Sequence, residues 1–294
     1  MTTLPDADLA LARLSDLYRR NLTLMGKDDV IVANVGGSGQ SLIGNILFEA
    51  GLNYVDGYTE ALREDGHAVP ADEHASYRSH FASLYDKDTA GDGRLRSLWP
   101  RFVKTHHPPV VFDDTTIGGV WLLVRDPRDT IYAGYRWRAS FGEEAWDRVP
   151  DTFEEFLAGP GDFSSDPVAD WCAFHTAWLD RSAQTEHAEV LRFEDLKTRP
   201  VEVVTAALHR LDVDIDPERV RRAVDASSFD RMREHEDRVT SASGGGAAAQ
   251  PRMIRAGKID GWREWMTPEL ARFFAGAELR TVAARFGYDI AEQR

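Results

Sequence analysis

Three short stretches carry residue types and spacings that could do chemistry on a phosphorylated ligand. Gly36-Gly37-Ser38-Gly39-Gln40-Ser41 follows an apolar run. Glycines there let a backbone turn approach a phosphate closely and adopt positive φ, and Ser38 and Ser41 offer hydroxyl donors. Lys104-Thr105-His106-His107 sets an ammonium two residues from an imidazole. The ammonium can offset charge on a group in transfer, and the imidazole can act as a general base near neutral pH. Arg125 opens Arg125-Asp126-Pro127-Arg128-Asp129, and a guanidinium grips phosphate bidentately. Each stretch also has a plainer reading: an ordinary strand-to-helix turn, a surface pair of loop histidines stiffened by Pro108 and Pro109, and a salt bridge from Arg125 to a neighbouring carboxylate. The Walker A pattern, Gly-Lys followed by Ser or Thr, is absent, which argues against a conventional ATPase or kinase.

The elements that must position these residues are legible around them. Apolar runs at 30–35, 101–104, 120–124 and 190–193 read as buried strands. Each of the first three ends just before one of the chemical stretches. Helical patterns follow at 41–50, 128–138, 152–157, 168–182, 200–211, 217–226 and 268–286, with Asp126 a candidate cap and Pro127 suited to a first turn. Strands of this kind, buried on both faces and separated by helices, suit a parallel sheet in an α/β fold. Ligands gather at the carboxyl ends of such strands. Residues 6–25 read as one amphipathic helix with Leu9, Leu11, Leu14, Leu17 and Leu24 on its apolar side. Segments 54–99 and 240–250 look irregular. No repeat or linker divides the chain, so a single domain over 1–294 is expected.

Bulk composition narrows the partners. The chain has 294 residues, a formal net charge of −14 and no dense run of Lys and Arg, which disfavours nucleic acid and acidic membrane surfaces. No apolar run approaches the roughly 18 residues of a membrane span. One cysteine, Cys172, rules out an internal disulfide, and the polar, acidic start carries no signal-peptide pattern. The expectation is a cytoplasmic protein with no membrane and no nucleic-acid partner.

Taken together, the stretches resemble the PAPS-dependent sulfotransferase family, whose donor is 3′-phosphoadenosine 5′-phosphosulfate and whose product nucleotide is PAP. The order and spacing match, from the glycine turn through Lys104-Thr105-His106 to Arg125-Asp126-Pro127-Arg128-Asp129. Downstream, Phe193-Glu194-Asp195-Leu196-Lys197, Ser227-Ser228-Phe229 with Met232, and Arg255-Ala256-Gly257 with Gly261-Trp262 are similar to further family segments. The resemblance implies a P-loop NTPase-like sulfotransferase fold, a central parallel β-sheet flanked by helices. It implies that Gly36, Gly37, Ser38, Gly39, Gln40, Ser41 and Leu42 hold the 5′-phosphosulfate. Arg125 and Arg255 would bind the 3′-phosphate with help from Ala256 and Gly257, while Ser227 and Phe229 would line the adenine and Phe193 stand beside them. His106 would take the acceptor's proton and Lys104 would contact the sulfonate, in-line at sulfur and without a metal. A small-molecule acceptor carrying a hydroxyl or amine would enter past Tyr58, Phe81, Trp137 and Phe141. Some relatives dimerise through a region matching residues 262–274, which leaves a homodimer open.

The sequence departs from the family pattern at definite places. Gly37 stands where a lysine is usual, Ala133 where a serine binds the 3′-phosphate, Phe193 where a tyrosine is usual, Ala256 for a lysine and Leu42 for an aromatic residue. Three accounts compete: another cation (Arg128, Arg136 or Lys258) restores the charge, the protein uses a different donor or a non-sulfonating reaction, or it binds a nucleotide without catalysis.

Overall fold

The structure is a computed structural model that describes residues 6–71, 99–141, 149–242, 254–255 and 257–291. Its strands, in chain order, are β1 (Asp29–Ala33), β2 (Asn53–Val55), β3 (Glu60–Leu62), β4 (Ala68–Pro70), β5 (Arg101–Thr105), β6 (Gly119–Val124) and β7 (His187–Arg192). Five of them form one parallel sheet in the order β2-β5-β1-β6-β7, and β3 and β4 form a separate antiparallel pair.

The inner strands are buried along their whole length because helices cover both faces, and their central residues are apolar. Alternate residues part to opposite sides, as a period of two requires. Ile31, Ala33, Val103, Val120, Leu122 and Val124 enter one core, with the Pro127–Phe141, Pro167–Ser182 and Ala277–Ala284 helices supplying Ile131, Trp171, Trp178 and Leu279. Val30, Val32, Phe102, Trp121 and Leu123 enter the other, beneath the Gln40–Glu49, Pro200–His209 and Pro217–Ala226 helices. Among the described residues no helix is long and apolar enough to cross a membrane.

β1 is the hinge of the topology. The chain leaves it through the Gln40–Glu49 helix to reach β2 on one side, while β6 and β7 lie on the other. Strand order therefore reverses at β1, which opens a crevice outside its carboxyl end. The glycine turn occupies that position.

Several expected elements differ from the reading above. The helix expected over 6–25 is two helices, Ala7–Ala12 and Asp16–Leu22. Ser15 breaks it by accepting the Tyr18 N–H at 3.1 Å as a cap, and Leu11 is left 40% exposed. The helix expected over 268–286 is divided into Pro268–Ala271, a 3-10 turn at Arg272–Phe274, and Ala277–Ala284, with extended Gly276 at the break. The strand expected to include Phe193 stops at Arg192, and Phe193 instead begins a helix that runs to Thr198. β2 and the β3–β4 pair occupy a segment read as irregular, since three-residue strands carry too few positions to show alternation. The Phe229–Ala242 helix has no apolar stripe to mark it in the sequence: half of its residues are charged, and among its described side chains Met232 and Glu236 alone are buried. Asp126 does cap its helix, accepting the Arg128 N–H at 2.9 Å, with Pro127 in the first turn.

Candidate active site

The glycine turn is built by contact as much as by φ. The Ser38 N–H and hydroxyl both return to the Val35 carbonyl, at 3.2 and 2.8 Å, closing the turn. Gly37 has φ +101°, and a Cβ there would stand 2.6 Å from the Thr130 carbonyl oxygen and 3.0 Å from the Ala133 Cβ. Gly39 has φ +97°, and its Cβ would fall 2.4 Å from the Phe193 ring. Neither position admits a side chain. No side chain caps the Gln40–Glu49 helix, so its first N–H groups await another acceptor. Gly36, Gly37, Gly39, Gln40, Ser41 and Leu42 line a cavity of about 1400 Å³. Ser38 is turned inward. Gln40 joins a buried chain in which Asn34 donates to its Oε1 and its own Nε2 donates to the Tyr54 hydroxyl at 2.8 Å.

Register brings the next residues to the same edge. Ala33 pairs with Thr105 of β5, so Asn34 and His106 follow side by side. The His106 Nδ1 lies 2.9 Å from the Asn34 carbonyl oxygen. A carbonyl only accepts, so Nδ1 carries the proton and Nε2 keeps its lone pair. The His106 N–H donates to the Tyr58 hydroxyl at 2.7 Å, and the two rings stack at 5.5 Å. Burial, then the Lys104 charge, pulls the imidazole down to about 3, against the opposing hydrogen bond to Asn34. His106 is therefore neutral through the physiological range. The Lys104 ammonium donates to Asp56 at 2.9 Å and lies 5.5 Å from the Tyr58 ring.

On the other side of β1, Val124 pairs with Arg192, which sets Arg125 beside Phe193. The Arg125 guanidinium lies 4.5 Å from the Phe193 ring centroid and donates to the Gly37 and Lys258 carbonyls, each at 2.9 Å. Asp129 pairs with it at 3.4 Å, yet the Arg125 Nε stays buried without a partner. Burial lifts the Asp129 carboxyl to about 6 even so. Arg255 reaches the Ala133 carbonyl at 2.6 Å. Burial, with Arg136 and Arg125 nearby, lowers its guanidinium to about 10. Phe193 is packed by Gly39, Gly257 and Arg125, so the ring serves as a spacer between turn and arginine.

A family model for the sulfotransferase domain matches residues 27–277. The chain belongs to the sulfotransferase family. Its fold is shared with a retinol dehydratase bound to androsterone and the inactive cofactor PAP, at 17% identity and a TM-score of 0.55, over 98% of this chain and 87% of that one. A mouse sulfotransferase complexed with PAP aligns at 14% identity and a TM-score of 0.56, over 92% of this chain and 94% of that one. No curated protein matches the chain in sequence.

Within this sulfotransferase, the remaining expected residues fall as follows. Phe229 and Ser227 line the same cavity, but the Ser227 hydroxyl is fully buried, donating to the Ala223 carbonyl at 2.7 Å and accepting from Asn45 at 3.0 Å. Gly257 lines it with φ +49°. Tyr58 and Trp137 line it as well, and Phe141 ends the Pro127–Phe141 helix. Phe81 and Ala256 lie outside the described residues. Of the cations weighed for the missing lysine, Arg128 is buried on Asp126 at 2.7 Å under Trp262, and Lys258 pairs with Glu264. Arg136 lines the cavity.

Some site residues gave little sign in the sequence. Asp56 is 48 positions from its partner Lys104, and no local pattern links them. Phe163 and Phe174 line the cavity as well. The segment carrying Phe163 is pinned by Asp170, which accepts the Phe163 N–H at 2.9 Å and the Ser164 hydroxyl at 2.7 Å. Asn34 was readable in principle, as the polar residue that follows the apolar run 30–33. His107 is buried edge-on against Tyr18 at 4.8 Å, a packing role.

Proposed function

We propose that the protein transfers a sulfonate group from PAPS to a hydroxyl or amine of a small-molecule acceptor, with His106 as general base. The observation that carries this reading is the His106 Nδ1 contact to Asn34. It orients a neutral imidazole and leaves Nε2 able to take a proton, in one cavity with the glycine turn and the arginines.

The residues present fit a doubly phosphorylated nucleotide. The Arg125 Nε is a buried donor with no partner, and the uncapped helix start at Gln40 offers further N–H groups. Gly36, Gly37, Gly39, Gln40 and Ser41, with inturned Ser38 shaping the turn, would hold the 5′ end. Arg125, Arg255 and Gly257 would hold the 3′-phosphate, and Leu42, Phe193, Ser227 and Phe229 would border the base. When bound, PAPS would supply the sulfonate that passes to the acceptor's oxygen or nitrogen, its bond to the bridging phosphate oxygen breaking to release PAP. His106 accepts the proton that this atom gives up. Lys104, steadied by Asp56, places positive charge beside the group in transfer. Tyr58, Trp137, Phe163 and Phe174 suit a flat or apolar acceptor.

Transfer of labelled sulfate from PAPS to a panel of phenols, alcohols and amines tests the reading. His106→Ala should lower turnover by about 100- to 10,000-fold and leave PAP affinity nearly unchanged. A variant that keeps the full rate would remove His106 from the chemistry.

A further inference from the structure

The cavity holds two anion-attracting places, and the second carries more positive charge than Arg125 and Arg255 alone explain. The first place is the glycine turn with the helix start at Gln40. The second is a wall formed by Arg125, Arg136 and Arg255. Of these, Arg125 has a carboxylate, Asp129 at 3.4 Å. Among the described residues, no carboxylate lies within ion-pair distance of Arg136 or Arg255. Two neighbouring arginines with no described carboxylate beside them make a place that attracts an anion.

Local geometry supports a shared target. Arg255 is tied to the Ala133 carbonyl at 2.6 Å. Arg136 stands three residues beyond Ala133 on the Pro127–Phe141 helix, so it lies on the helix face that Arg255 reaches. The Arg136 guanidinium sits over the Tyr132 ring, 6.0 Å from its centroid, and is otherwise exposed. A side chain so placed can swing onto a ligand at little desolvation cost. Burial first, then the Arg136 and Arg125 charges, lowers the proton affinity of Arg255, and a dianion entering among the three cations offsets that repulsion.

We propose that Arg136 is a specificity residue that, with Arg255, clamps the nucleotide phosphate farther from the glycine turn. It thereby selects a ligand phosphorylated on both sides of the ribose over adenosine 5′-phosphate. This rests on the nucleotide reading above and deepens it.

Calorimetric titration of the full chain with PAP and with adenosine 5′-phosphate, in wild type and Arg136→Gln, tests the proposal. Arg136→Gln should weaken PAP by roughly 10- to 100-fold, the worth of a charge-assisted contact, and leave adenosine 5′-phosphate within about twofold. Arg136→Lys should retain most of the preference for PAP. If Arg136→Gln weakens both ligands equally, or neither, the Arg136 assignment is overturned while the nucleotide site stands. If wild type binds neither nucleotide, the nucleotide reading itself falls, and this proposal with it.

Discussion

His106 gains its character from two neighbours acting in opposite directions. The Asn34 carbonyl fixes which nitrogen carries the proton, and burial beside Lys104 keeps the ring uncharged. A group held this way is always available as an acceptor and needs no deprotonation at neutral pH. Gly37 shows the same dependence on immediate contact. The lysine usual at that position cannot be restored by substitution, because a Cβ would meet the Thr130 carbonyl at 2.6 Å and φ is +101°. Two departures from the family pattern, Gly37 and Ala133, thus face each other across the contact between turn and helix. Gly37→Lys is expected to destabilise the fold by about 1–3 kcal/mol or more, lowering the melting temperature, with no gain in transfer rate. A variant that melts as wild type does and turns over faster would show that the turn has room for a cation.

At the scale of elements, the parallel sheet was legible because four short runs carry apolar residues at their centres and three of them lead into chemical residues. Residues 30–33 and 120–124 are buried along their length, as such runs demand. Sequence reading failed where the deciding contact is distant or the signal short: Asp56 against Lys104, Phe193 against Gly39, Ser15 inside an apparent helix. The strand end misplaced at Phe193 has a plain cause. An aromatic residue favours a strand by propensity, and here tertiary packing over the turn takes it into a helix start. That packing can be measured. In a double-mutant cycle, Gly39→Ala should be costly alone and less so beside Phe193→Leu, with a coupling of at least about 0.5 kcal/mol in denaturant unfolding. Strict additivity would mean that the ring does not set the turn.

At the scale of the whole molecule, three imidazoles among the described residues bind protons poorly when folded: His106 at about 3, and His107 and His175 at about 4, each chiefly through burial. Below their ordinary value near 6.5 the unfolded chain takes up protons that the folded one refuses, so stability should fall as pH drops from about 6.5 towards 4, by up to about 1.4 kcal/mol per pH unit for each group. Asp129, raised to about 6, and Asp170, also raised, act in the opposite sense over the lower part of that window, which softens the slope without reversing it. Urea midpoints between pH 7 and pH 4 should decline, and His175→Gln should flatten the decline. A midpoint that holds steady across this range would show that these rings are protonated within the fold.

The central claim is that the ends of β1, β5 and β6 seat a doubly phosphorylated adenosine beside a neutral His106. A crystal structure with PAP bound tests it most directly. The expected density has one phosphate at the turn of residues 36–41, the other among Arg125, Arg136 and Arg255, and the His106 Nε2 open to the acceptor end. PAP bound on another surface, or phosphates away from both places, would contradict the account.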